Sequence, residues 1–149
     1  MRLLLHAQKE TRARGVPRTS SLEVWARAAL AGSGPGLATV TVRLVDGRES
    51  ATLNRRYREK SGPTNVLSFS YELPRGSRGL MGDLVICAPL VAREADAQGK
   101  ARRAHWAHMI VHGIMHLRGF DHLEPREAGA MEAAESRILK RLGFPDPYR

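Results

Sequence analysis

Four of the six histidines fall in one stretch, at His105, His108, His112 and His116, spaced three or four residues apart. On an α-helix each residue turns about 100° and rises about 1.5 Å, so positions four apart differ by about 40° in direction and about 6 Å in height. Their imidazoles can therefore meet at one ion. His112 and His116 satisfy this, and so do His108 and His112. All three cannot, because His108 and His116 stand about 12 Å apart along the axis while zinc–nitrogen bonds are only about 2.0–2.1 Å. Gly119 selects between the pairs: a glycine just past the helix permits the left-handed turn that reverses the chain and returns His122 to the helix end. The spacing predicts that His112, His116 and His122 hold one ion. Zinc suits this donor set best, and iron, nickel or copper also accept imidazole. Three nitrogen ligands leave a fourth position open, the layout of a catalytic rather than a structural zinc site. His105 and His108 fit either hydrogen-bonded core or surface positions, or a role in supporting the site or contacting substrate.

The spacing His-x3-His-x2-Gly-x2-His is that of the zinc-protease signature with one difference. Gly113 stands where that signature has the glutamate that serves as general base, and glycine cannot take a proton. The motif therefore argues against peptide hydrolysis.

Around this helix the sequence predicts a single α+β domain over 1–149, a small mixed β-sheet packed with about five helices, and the metal site at the end of the long helix. A short strand is expected near Leu3 to His6. Ser20 and Glu23 have capping-box spacing and open a helix with Leu22, Trp25, Ala26, Ala29 and Leu30 on one face, ended by the glycine cluster at 32–36. Val40, Val42 and Leu44 alternate with Thr39, Thr41 and Arg43 in a half-buried strand. Asp46 and Glu49 again have capping-box spacing, before a short helix that carries Leu53 and Tyr57 and ends in basic residues. A second strand spans Val66 to Tyr71 and a buried one Met81 to Ile86. Helices follow over Leu90 to Gln98, Ala101 to Arg118 and Pro125 to Leu142, the last with Ala128, Met131, Ile138 and Leu142 as its apolar side.

Charge narrows the partners. Lys and Arg number 24 against 15 Asp and Glu, a formal net charge of +9 in 149 residues, which favours a polyanion. Arginine outnumbers lysine 20 to 4, and its planar fork meets phosphate oxygens in pairs. The chain has no stretch long and apolar enough for a membrane span and no signal-peptide pattern, so a cytoplasmic protein with no membrane partner is expected. The single cysteine, Cys87, is compatible with a reducing compartment.

The segment from Val111 to His122, VHGIMHLRGFDH, resembles the signature of the bacterial YbeY family, metal-dependent endoribonucleases of ribosomal RNA maturation. Two further blocks resemble that family in the same order: Leu53 to Arg58 with Pro63 to Phe69, and Gly82 to Cys87. Phe120 stands where the family has tyrosine, which removes a hydroxyl and touches no ligand. The resemblance implies an endoribonuclease that prefers single-stranded RNA and acts in 16S rRNA 3′-end maturation and ribosome quality control. It implies rRNA and the ribosomal subunit as partners, zinc on the three histidines, and Arg58 as the functional arginine. Elementary chemistry agrees: Arg58, in a run with Arg55, Arg56 and Lys60, is suited to hold a phosphate as charge builds on it. Two other functions fit the sequence less closely. One is a metal-stabilised RNA-binding factor of ribosome assembly, and the other a zinc hydrolase acting on another polar bond.

Overall fold

The alternating segment beginning at Leu37 forms the strand β2 (Leu37–Val45), with Val40 and Val42 fully buried and Thr39, Thr41 and Arg43 half-buried on the opposite face. In the computed structural model, which describes residues 1–120 and 124–149, β2 lies inside a four-stranded mixed sheet of order β1-β2-β4-β3. β1 (Arg2–Lys9) and β4 (Gly79–Cys87) run parallel to it, and β3 (Val66–Tyr71) pairs antiparallel with β4 along the other edge. Five helices complete the chain: α1 (Thr19–Leu30), α2 (Gly47–Arg58), α3 (Ala88–Ala97), α4 (Arg102–Leu117) and α5 (Pro125–Arg141). This is the expected α+β class.

α1 and α4 pack together over one face of the sheet, and the main core lies there, joining Leu22, Trp25, Ala26 and Leu30 to Val40, Val42, Leu84, Ile86, Ile110 and Ile114. α2 sits on the other face, where Leu53 and Phe69 border a small cluster of Val45, Leu67 and Val85. α4 is the central helix, in contact with α1, α3, α5 and the sheet, and eleven of its sixteen residues are buried. That is why histidines on it meet partners from so many elements. Among the described residues no helix is long and apolar enough to cross a membrane.

Three local expectations need correction. β1 is an eight-residue strand rather than a short one, paired with β2 along its whole length. Its Leu3-Leu4-Leu5 run hides the alternation, since Leu3 and Leu5 face the core while Leu4 is 61% exposed on an edge strand. Neither capping box forms. α1 begins one residue before Ser20, with Arg18 as its cap residue and no side-chain cap. Asp46 does precede α2, but its carboxylate accepts from the Thr11 hydroxyl and the Arg12 amide, and Glu49 pairs with Arg43. Distant Thr11 and Arg12 have taken the Asp46 carboxylate from the helix end, and Arg43 on β2 has taken that of Glu49.

α4 approaches β4 through two glycines. A Cβ on Gly113 would lie 2.7 Å from Leu84 Cδ2, and one on Gly82 2.5 Å from Leu117 Cδ2. Each glycine thus receives a leucine from the facing element, and the helix settles directly on the sheet. A glutamate at 113, as in the protease signature, would be driven into the core. Gly113→Val should therefore cost about 1–3 kcal/mol of stability by overpacking, measured by urea unfolding. An unchanged midpoint would mean that α4 has room to move off the sheet.

Candidate metal centre

α4 sets its histidines on two sides. His112 and His116 line an open cleft of about 660 Å³, together with Arg58, Ser68 and Ser70 of β3, and Phe120. Nε2 of His112 lies 3.2 Å from Nε2 of His116, with ring centroids 4.7 Å apart. Two nitrogens bound to one tetrahedral ion at 2.0–2.1 Å would stand about 3.3 Å apart, so the pair has the span a single ion requires. Gly119 adopts φ +95°, the left-handed turn read from the sequence, and its amide closes on His116 O at 2.9 Å. His122 lies outside the described residues.

His112 also looks the other way. Its Nδ1 donates to Glu135 Oε1 at 2.5 Å, and Glu135, in the middle of α5, is completely buried. The Tyr148 hydroxyl donates to the other carboxylate oxygen, and His108 Nε2 stands 3.2 Å from that hydroxyl and 3.7 Å from Oε2. Burial pushes the Glu135 carboxyl pKa up, but the nearby His108 imidazole and the hydrogen bonds from His112 and Tyr148 prevail and hold it down at about 2. Burial and the neighbouring carboxylate push the Tyr148 phenol well above its ordinary range. Among the described residues His108, His112 and Glu135 form a group whose ligand atoms all lie within 4.8 Å of one another. His112 thus belongs to two possible donor sets, using Nε2 toward the cleft with His116 and Nδ1 toward the interior with Glu135 and His108.

His105 has a different role. It is buried, and its Nε2 bonds Glu94 Oε1 of α3 at 2.9 Å, while Asn65 Nδ2 donates to the same carboxylate at 3.2 Å. Burial draws the imidazole pKa down against the pull of Glu94. This chain ties the cleft wall at Asn65 to the start of α4.

Arg58 is the last residue of α2, where the carbonyl end of the helix favours a cation. Its placement depends on the loop that follows. Glu59 is left-handed at φ 56°, and Asn54, buried at 3%, donates from Nδ2 to Gly62 O. Buried Ser50 exchanges two bonds with Thr64, donating to its carbonyl and accepting from its amide. Arg55, Arg56 and Lys60 are exposed around it.

Glu135 and Tyr148 were not singled out from the sequence. A signal existed for the first: Glu135 lies four residues after Met131 and three before Ile138, a charged residue on the apolar side of the last helix. For Tyr148, near the end of the chain, nothing in the sequence pattern marked a contact with α4.

An α+β fold with a histidine and carboxylate cluster able to take a metal ion, beside an arginine-bordered cleft, defines the class. The sequence matches the family described as Endoribonuclease YbeY over residues 8–143. Relatives named Endoribonuclease YbeY from Methylococcus capsulatus and Halorhodospira halophila are 54% and 51% identical over 135 and 137 residues, covering 90% and 89% of this chain and 88% of each relative. The solution structure of TM1509 from Thermotoga maritima aligns with a TM-score of 0.59 at 22% identity, covering 91% of this chain and 88% of that one, a likeness of fold. The chain belongs to the YbeY family.

The Ser50 contact gives a test of how Arg58 is placed. Ser50→Ala removes both bonds to Thr64 and should lower stability by about 1–3 kcal/mol while leaving metal uptake unchanged. Loss of metal uptake with unchanged stability would show that the α2 loop supports the histidines instead.

Proposed function

We propose that this chain, as one domain over 1–149, is a zinc-dependent endoribonuclease acting on single-stranded RNA. In this reading His112, His116 and His122 hold the ion and Arg58 holds the phosphate. The site of action is the cytoplasm, in 16S rRNA 3′-end maturation and ribosome quality control, with rRNA and the ribosomal subunit as partners. The observation that carries the reading is the pair of Nε2 atoms 3.2 Å apart on the cleft that Arg58 also lines. Family membership supports RNA as the substrate.

A metal held there would supply Lewis acidity, either polarising a phosphate oxygen directly or lowering the pKa of a water to about 7. The side chains do the rest. Arg58 presents paired donors to the non-bridging phosphate oxygens and balances their charge as phosphorus becomes five-coordinate. Ser68 and Ser70 line the β3 side of the cleft and Phe120 the end beyond α4, so the substrate phosphate is approached from an open groove. A flexible strand bends into that groove at less cost than a stiff duplex. Exposed Arg55, Arg56 and Lys60 extend the positive charge beyond Arg58. Gly113 has no side chain to take a proton and a Cβ there would meet Leu84, so the peptidase base has no counterpart at this position.

Purified protein should cleave single-stranded RNA, spare its fully paired duplex and leave an unstructured peptide intact. His116→Ala should abolish cleavage, and activity that survives it would remove the enzyme reading. Protection of RNA without shortening would instead favour an assembly factor. Arg58→Ala should keep fold and metal content while cleavage falls more than about tenfold, equivalent to about 1.4 kcal/mol of barrier. Arg58→Lys should recover only part of it, because an ammonium lacks the paired donors. Affinity for single-stranded RNA should fall by about 0.7 decades per decade of salt for each phosphate contacted, and a flat salt dependence would contradict the phosphate-binding role of the basic cleft.

A further inference from the structure

We infer that Glu135, fixed by the Tyr148 hydroxyl, is a positioning residue that holds the proton of His112 on Nδ1 and so turns the Nε2 lone pair toward the cleft. The inference rests on the metal site proposed above and adds two residues to it from the far end of the chain.

The argument is one of proton bookkeeping. A fully buried carboxylate survives only with donors around it, and Glu135 has them: Nδ1 of His112 on Oε1 and the Tyr148 hydroxyl on Oε2. A carboxylate accepts only, so the proton of the His112 bond resides on Nδ1. Neutral imidazole carries one proton, which leaves Nε2 with its lone pair. That atom is the one facing His116 Nε2 at 3.2 Å. Because the Tyr148 proton is committed to Glu135, the contact with His108 is made by His108 Nε2–H donating to the phenolic oxygen. A protonated Nε2 is no metal ligand, so that nitrogen of His108 is assigned to supporting Tyr148.

The C-terminal segment is built to keep Tyr148 there. Asp146 Oδ1 accepts from the Ser136 hydroxyl at 3.0 Å and the Tyr148 amide at 2.9 Å, and Lys100 Nζ donates to Pro147 O at 3.0 Å. Three elements thus converge on one imidazole: α4 carries it, α5 orients it, and the C-terminal segment fixes the residue that orients it. A carboxylate on the far nitrogen also makes Nε2 more basic, and losing such a partner typically weakens metal binding by 10–100-fold.

The test measures zinc affinity by competition with a chelator on the full chain, and the His112 tautomer by 15N NMR of the metal-free protein. Thermal unfolding of the metal-free protein is the control. Glu135→Gln keeps the shape and an acceptor but loses the charge. It should bind zinc about tenfold more weakly and shift His112 toward the Nε2-protonated tautomer. Tyr148→Phe, which keeps the ring, should move both readouts in the same direction by less. Unchanged zinc affinity and tautomer in both variants, whatever their melting temperatures, would overturn the proposal. So would a Glu135→Gln protein that has lost zinc while His116→Ala retains it, because Glu135 would then be a ligand on the interior side with His108. If the unaltered chain takes up no zinc, the metal reading itself falls, and the tautomer measurement alone still decides whether Glu135 governs His112.

Discussion

The close approach of α4 to the sheet is the constraint on which the rest depends. Gly113 admits Leu84 and Gly82 admits Leu117, so the helix lies against β4 with only these two leucines seated over the glycines. Ser68 of β3 reaches the Gly113 carbonyl at 3.4 Å. His112 and His116 line one cleft with Val66, Leu67, Ser68 and Ser70 of β3, and the strand forms its wall. A side chain at 113 would meet Leu84, so packing favours glycine one residue after His112, and glycine has no group to act as a peptidase base.

Most of the fold was legible because its elements carry their own period. Val40, Val42 and Leu44 alternate, and helix stops fall at Gly32, Gly99 and Gly119. What was not legible involved partners distant in sequence. Asp46 sits where a cap is expected, yet its carboxylate goes to Thr11 and Arg12, 35 and 34 residues away. β1 was underestimated because an edge strand exposes alternate leucines and so blurs its alternation.

The site divides in the same way. Helical spacing limited the ligand pairs to His108 with His112 or His112 with His116, and the structure places only the second pair on the cleft with Arg58. Spacing could not reveal Glu135, whose importance comes from α5 crossing α4, nor Tyr148, brought back by the C-terminal segment. Glu135 was nonetheless visible as an anomaly, a charge on an apolar stripe, which costs several kcal/mol unless something answers it. Here three groups from α4 and the chain end surround it, and one of them is His112.

Zinc-loaded crystals measured by anomalous diffraction at the metal edge would test the central claim most directly. The account predicts one ion on the cleft side of α4, held by Nε2 of His112 and His116 and a nitrogen of His122, with Glu135 hydrogen-bonded behind His112 and outside the coordination sphere. An ion on the interior side, bound by Nδ1 of His112 with His108 and Glu135, would contradict it.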